Sequence, residues 1–83
     1  MTNKEFWQLK KGDCFKDNYR ERLLIITKRE VLDDVAGMII TKHTTTDIYN
    51  GRKYVQLYCE DFRGNKFYYD SRRTDILKYY EKV

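Results

Sequence analysis

Residues 53–71, KYVQLYCEDFRGNKFYYDS, decide the fold because their centre carries a complete set of turn signals. In the segment 61–64 (DFRG) the aspartate stands where its side chain can accept hydrogen bonds from the turning backbone. The glycine stands where φ becomes positive. This pattern is typical of a type I turn closed by a glycine bulge, with a three-residue loop. It predicts a β-hairpin with one strand on each side of the turn.

Counting outward from the turn predicts which residues face each other across the hairpin. On the mostly apolar face the pairs are Cys59 with Phe67, Leu57 with Tyr69 and Val55 with Ser71. On the face that mixes charge with tyrosine the pairs are Glu60 with Lys66, Tyr58 with Tyr68 and Gln56 with Asp70. A two-residue loop at Gly64-Asn65 would place Leu57 beside Arg72 and mix both faces. We therefore expect the three-residue loop, with the apolar face in the core.

Composition places the chain among folded soluble domains. Its 83 residues suffice for one domain, and 41% hydrophobic, 36% charged and 16% aromatic residues exclude a disordered chain. The longest apolar run, residues 23–26, is far shorter than the roughly 20 residues that span a bilayer. The first residues, MTNKEFWQLKK, lack the apolar core of a signal peptide. We expect a cytoplasmic protein.

Residues that could carry catalysis are few and scattered. The chain has one serine, Ser71, and one histidine, His43, and nothing in the sequence places either beside a partner. Cys14 and Cys59 lie 45 positions apart without a CxxC motif, so we interpret them as packing thiols, with a disulfide left open. Phosphate-binding glycine motifs are absent. The sequence therefore predicts a non-enzymatic protein without cofactor or metal.

The segments before the hairpin predict a helical turn and several strands. Residues 2–5 (TNKE) have the pattern of a capping box, which favours a short helical turn over the alternative of an edge strand. Strands are predicted at residues 13–16, at residues 22–28 as a central strand buried on both faces, and at the β-branched residues 38–46. Asn50-Gly51 predicts a further hairpin turn whose register stays open.

The C-terminal tail, residues 72–83, allows two interpretations. Thr74 could begin a helix, or a single turn at residues 74–77 could lead into a final strand. We favour the second, because Tyr79, Tyr80 and Val83 are strand-like residues.

Two features resemble small SH3-like β-barrels. Residues 9–15 (LKKGDCF) resemble the "hydrophobic-x-x-Gly-Asp-x-hydrophobic" entry into such barrels, and a 3₁₀ turn followed by a closing strand resembles their end. The resemblance implies an all-β, SH3-like barrel of about five antiparallel strands. Closure into a barrel would remove the exposed strand edges that promote aggregation.

The solvent-side face of the hairpin is the candidate binding site. We expect the contact residues to be Tyr54, Tyr58, Arg63, Lys66, Tyr68, Arg72 and Arg73. Tyrosine and arginine dominate protein interfaces, whereas aromatic rings interleaved with cations also bind single-stranded nucleic acid. A third interpretation is that the tyrosines only pack across strands and the arginines form a solvated rim. The net charge of +4 is compatible with a polyanionic partner, although it is smaller than that of dedicated DNA binders.

A short lysine- and tyrosine-rich chain without a catalytic motif resembles the accessory proteins of phages and mobile elements, anti-CRISPR proteins among them. That resemblance implies a binding module that docks on a host protein or nucleoprotein complex and modulates or inhibits it. A direct nucleic-acid-binding small barrel is the alternative. Neither interpretation involves a membrane, and the oligomeric state stays open.

Overall fold

Seven elements make up the part of the chain that the computed structural model describes, residues 1–34 and 53–83. They are α1 (Asn3–Gln8), β1 (Cys14–Asp17), β2 (Arg22–Asp33), β3 (Lys53–Glu60), β4 (Lys66–Asp70), a 3₁₀ helix (Thr74–Tyr79) and β5 (Tyr80–Lys82). The strands form one antiparallel sheet in the order β4-β3-β2-β1-β5. The protein is therefore mostly β, with one short helix and one 3₁₀ helix.

The β3–β4 hairpin has the predicted register. Its pairs run from Gln56 opposite Asp70 to Glu60 opposite Lys66. The loop closes with a 3.2 Å hydrogen bond from the Gly64 amide to the Asp61 carbonyl, and Gly64 has φ +79°. The Asp61 carboxylate accepts hydrogen bonds from the amides of Arg63 (2.9 Å) and Asn65 (3.0 Å). The turn signals in the sequence thus set the pairing of both strands.

Strand β2 occupies the predicted central position, but the prediction that both of its faces are buried is wrong. Leu24 and Ile26 are 1% exposed, whereas Ile25 between them is 43% exposed. The strand also continues beyond Lys28 to Asp33, and its pairing with β3 shifts by one residue at Thr27. Because the buried residues alternate, only one face of the sheet meets the core.

The core lies on that one face and combines sheet residues with residues of the two helical segments. Its members are Phe6, Leu9, Phe15, Leu24, Ile26, Val55, Leu57, Cys59, Tyr69, Ile76, Leu77 and Tyr80. Phe15, Tyr69 and Tyr80 form a ring cluster with centroids 5.3 to 5.6 Å apart. Burial of Val55, Leu57 and Cys59 confirms the predicted inner face of the hairpin.

The helical turn predicted near the N-terminus and the 3₁₀ turn and strand predicted near the C-terminus are both present. The Thr2 hydroxyl accepts from the Glu5 amide while the Glu5 carboxylate accepts from the Thr2 amide, so the capping box forms and starts α1. At the other end the 3₁₀ helix leads directly into β5, as predicted. The Met1 ammonium group donates to the carbonyls of Leu77 (3.1 Å) and Tyr80 (3.2 Å), which joins the two ends.

The predicted closure into an SH3-like barrel is wrong for the residues that the structure describes. Strands β4 and β5 lie at opposite edges of the sheet and do not pair. The physical reason is that the helical segments supply the apolar side chains that cover the inner face, among them Phe6 and Leu77, in place of a returning strand. The predicted strand at residues 38–46, the Asn50-Gly51 turn and His43 lie outside the described residues.

Candidate functional site

The face of the sheet opposite the core carries most of the predicted contact residues. Side chains alternate across a strand, so the burial of Val55, Leu57 and Cys59 turns Tyr54, Tyr58 and Glu60 to the other face. Register then aligns Tyr58 with Tyr68 on β4 and with Lys28 on β2. We call the group Tyr54, Tyr58, Tyr68, Lys28, Lys66 and Arg72 the tyrosine surface.

Tyr58 and Tyr68 form the centre of the tyrosine surface. They are directly opposed across β3 and β4, and their rings meet edge to face with centroids 5.2 Å apart and an interplanar angle of 87°. Tyr68 is nevertheless 68% exposed. The pair therefore presents aromatic area on rigid backbone while retaining a favourable ring geometry.

Two residues of β2 support Tyr58 from its other side. The Lys28 ammonium lies 5.2 Å from the centroid of the Tyr58 ring and 2.7 Å from the Glu30 carboxylate. A hydrogen bond between the Tyr58 hydroxyl and Glu30 raises the pKa of the tyrosine. The sequence did not identify Lys28 and Glu30 as site residues, because their alignment with β3 depends on the register shift at Thr27.

Arg72 extends the surface beyond the end of β4. Its guanidinium lies 3.9 Å from the centroid of the Tyr54 ring, and it makes a bidentate contact with Asp70 at 3.2 and 3.1 Å. Asp34 lies 3.9 Å away on another side. These hydrogen bonds to Asp70 raise the pKa of Arg72. The arginine is thus held against Tyr54 with its charge matched by carboxylates.

The remaining three predicted cations divide between different places. Lys66 is paired across the strands with Glu60 and lines a depression of about 230 Å³ together with Tyr58 and Tyr68. Arg63 lines a different groove, and Arg73 pairs with Asp75 at 3.5 Å at the start of the 3₁₀ helix. The structure therefore brings Tyr54, Tyr58, Tyr68, Lys66 and Arg72 to one face and separates Arg63 and Arg73 from them.

The second groove lies between the β1–β2 turn and the tip of the β3–β4 hairpin. It has a volume of about 720 Å³, and its walls include Lys16, Asn18, Glu21, Leu23, Phe62 and Arg63. We call it the tip groove. The sequence does not reveal this groove, because its two walls come from turns that are far apart in the chain. The signal in the sequence was Phe62, a large apolar residue at the exposed position of a tight loop.

The two cysteine thiols contribute to packing, and the described residues hold no cluster of metal-binding side chains. Cys14 is half-buried and Cys59 buried, and both are free thiols, in line with the packing interpretation. Burial raises the pKa of the Cys59 thiol to about 12. Within residues 1–34 and 53–83, no group of three or more histidine, cysteine or acidic side chains could hold a metal ion. Likewise, no helix there is long and apolar enough to cross a membrane.

Comparison of the chain with protein-family models, with curated proteins and with solved structures finds no match in any of the three.

Proposed function

We propose that this chain is a non-enzymatic binding module that docks its tyrosine surface on a host protein or nucleoprotein complex and modulates or inhibits that target. The observation that carries the proposal is the Tyr58–Tyr68 pair, edge to face and with Tyr68 68% exposed, on a sheet face where residues 1–34 and 53–83 place no covering element. This activity matches the one implied by the resemblance to accessory proteins of phages and mobile elements.

Preorganisation supports a role in protein recognition. Tyr58 and Tyr68 stand on paired strands. The Lys28 ammonium contacts the Tyr58 ring, and the Arg72 guanidinium contacts the Tyr54 ring. Docking then orders few side chains, so that less conformational entropy opposes binding. Tyrosine and arginine are also the residue types that contribute most per residue at protein interfaces.

Direct binding of nucleic acid by the same surface is the second candidate, and charge pairing argues against it. Binding along a phosphate backbone requires cations that are free to follow it. Two of the three cations of the tyrosine surface are paired, Lys28 with Glu30 and Arg72 with Asp70 and Asp34, while Lys66 is opposite Glu60 across the strands. Phosphates would have to displace these carboxylates, whereas a protein partner can contact the paired groups as they stand.

We also propose that the fold is related to the SH3-like folds, although its sheet is not closed into a barrel. Supporting it are the neighbouring positions of β1 to β4 in the sheet, the position of β5 beside β1 and the 3₁₀ helix before β5. We also place the interaction in the cytoplasm. The free thiols of Cys14 and Cys59 support this setting, because reducing compartments keep thiols unpaired.

The test is quantitative affinity capture from nuclease-treated lysate of the source cells. The bait is the wild-type protein or the double variant Tyr58→Ser/Tyr68→Ser. The matched control is Tyr19→Ser/Tyr79→Ser, which removes another exposed tyrosine pair with centroids 5.3 Å apart. We expect a protein that is enriched by wild type and control and is depleted at least about tenfold with the double variant, the loss of one or two interface hot spots.

A parallel titration with single-stranded and duplex oligonucleotides separates the two candidates. Binding that contacts several phosphates weakens steeply between about 50 and 200 mM salt. Oligonucleotide binding with that salt dependence, abolished by Tyr58→Ser/Tyr68→Ser, would replace the protein-binding proposal with the nucleic-acid one. We expect no oligonucleotide binding through the tyrosine surface at 50 mM salt.

A further inference from the structure

We propose that two copies of this chain associate through the outer edge of β4, which pairs antiparallel with the same strand of the second copy. The pairing joins the two sheets into one continuous sheet. It uses the backbone of β4 and needs no other protein, so the inference does not rest on the proposed function. It would, however, place the tyrosine surfaces of the two copies side by side.

The edge of β4 that faces away from β3 carries unpaired backbone groups. The Ser71 amide donates to the Val55 carbonyl and the Asp61 amide donates to the Asn65 carbonyl, so the odd-numbered residues of β4 bond to β3. The residues whose amide and carbonyl groups point away from β3 are therefore Lys66, Tyr68 and Asp70. None of these groups is hydrogen-bonded to a residue that the structure describes. An open edge of this kind is a template for a further strand.

The opposite edge of the sheet, on β5, is already occupied. The Val83 amide donates to the Cys14 carbonyl on β1, so the backbone groups of Tyr80 point away from β1. The Tyr80 carbonyl accepts from the Met1 ammonium group at 3.2 Å, and the Tyr80 amide donates to the Leu77 carbonyl. Pairing of β4 with β5 of another copy is thereby disfavoured. Pairing of β4 with itself remains, and it gives a closed two-fold dimer.

Hydrogen bonding and charge select the same register for the two β4 strands. When Tyr68 lies opposite Tyr68 of the second copy, the outward backbone groups of all three residues can bond across the interface. The same register places Lys66 opposite Asp70 of the second copy, and Asp70 opposite its Lys66. A shift by two residues in either direction separates these charges and leaves fewer bonded pairs. A shift by one residue brings opposite faces together.

The side chains of β4 are suited to this register. Lys66 makes no ion pair within the part of the chain that the structure describes. Asp70 already binds Arg72 at 3.1 Å, but a carboxylate has acceptor sites for a second cation. The Tyr68 ring, 68% exposed and packed on Tyr58 within its own chain, gains the Tyr68 ring of the second copy as a cross-strand neighbour.

The first test is amide hydrogen exchange of the wild-type protein at two concentrations, with the molar mass measured by sedimentation equilibrium. The molar mass should rise from that of a monomer towards twice that value. The Tyr68 amide should exchange at least about threefold more slowly at about 1 mM than at about 20 μM protein, because only the dimer protects it. The amides of Phe67 and Tyr69, which bond to β3 within one chain, are the internal control and should be protected at both concentrations.

The second test exchanges the charges that meet across the interface. Lys66→Glu and Asp70→Lys should each weaken dimerisation at least about tenfold, because each places like charges opposite one another at two symmetric positions. An equimolar mixture of the two variants should regain the wild-type affinity as a heterodimer, in which both pairs are again of opposite charge. Lys4→Glu, a matched charge reversal on α1, should change the dissociation constant less than about twofold. Amide spectra verify that each variant is folded.

A monomeric molar mass at about 1 mM protein would overturn the inference, since even weak edge pairing is populated there. Slow exchange of the Tyr68 amide that is independent of concentration would also overturn it, because another segment of the same chain would then cover the edge. A mixture of Lys66→Glu and Asp70→Lys that dimerises no better than either variant would contradict the pairing. These measurements use the purified chain alone, so their failure is distinguishable from a failure of affinity capture through the tyrosine surface.

Discussion

The Tyr69 hydroxyl donates a 2.6 Å hydrogen bond to the carboxylate of Asp17, the last residue of β1, which is completely buried. Asp17 also accepts from the backbone amides of Tyr19 (3.0 Å) and Arg20 (3.1 Å), and the Arg20 guanidinium lies 3.4 Å away. Through this carboxylate the β1–β2 turn is fastened to β4, three strands away in the sheet. A buried charge of this kind is tolerated only when it is fully hydrogen-bonded.

Tyr69→Phe should therefore destabilise the protein by about 1.5 to 3 kcal/mol, the usual worth of a hydrogen bond to a charged group. The ring packing against Phe15 and Tyr80 is retained, so the loss in the free energy of unfolding measures the contribution of the hydroxyl group. Urea unfolding measures it. Tyr68→Phe is the matched control, since Tyr68 is exposed on the same strand and should change stability by less than about 0.5 kcal/mol. Equal effects of the two substitutions would contradict the role given to Asp17.

The loop of the β3–β4 hairpin should depend on the backbone conformation of Gly64. With φ at +79°, Gly64→Ala should cost about 1 to 2 kcal/mol, because a Cβ is unfavourable in the left-handed region. A Cβ at this position meets no atom within 4 Å, so the cost is one of backbone conformation and not of a clash. Gly64→Asn should recover part of it, since asparagine tolerates that conformation. Unfolding in urea would reveal a misassigned turn if alanine and asparagine were equivalent to glycine.

Stability should fall when the pH is raised above about 9. Burial raises the pKa of the Cys59 thiol from 9.0 to about 12, and burial likewise raises the pKa of Tyr80 from 10.0 to about 12. Between these values the unfolded chain has released protons that the folded chain retains. The unfolded state is thereby favoured as the pH rises. The full stability is present below pH 9 and is lost progressively towards pH 12.

Urea unfolding at pH 8, 9, 10 and 11 tests this dependence. The Cys59→Ala variant is less stable overall because of the cavity, but its stability should decline less between pH 9 and 10, where in the unfolded wild type the cysteine ionises ahead of Tyr80, whose unfolded pKa is 10.0. A wild-type stability that stays constant from pH 8 to pH 11 would contradict the burial of both groups.

The parts of the fold that could be predicted from sequence are those set by local interactions. The DFRG turn determined the register of β3 with β4, and the pattern at Thr2 and Glu5 determined the start of α1. The order of the 3₁₀ helix and β5 followed from strand-like residues around Tyr80. In each case the deciding contacts join residues close in the chain, so the sequence pattern reports them directly.

Features that depend on contacts between distant segments could not be predicted. The shift at Thr27 aligns Lys28 and Glu30 with Tyr58, and no residue pattern marks it. The predicted barrel failed because Phe6 and Leu77 cover the inner face, which leaves β4 and β5 as separate edges. Arg63 was grouped with the tyrosines as a neighbour in the hairpin, although the loop turns it towards the tip groove. Turn signals and strand periodicity depend on residues close in the chain, whereas the segments that pack on each face of the sheet are distant in the chain.

The central claim is that the β3–β4 hairpin buries Leu57 and turns Tyr58 to solvent, which creates the tyrosine surface. Its most direct test is the thermal unfolding of Leu57→Asp and Tyr58→Asp, which place the same carboxylate at adjacent positions on opposite faces. We predict that Leu57→Asp abolishes cooperative unfolding, because it buries an unpaired charge. We predict that Tyr58→Asp keeps a cooperative transition and loses less than about 2 kcal/mol, mainly the ring pair with Tyr68. Similar midpoints for the two variants would contradict the assignment of the faces and remove the proposed docking surface.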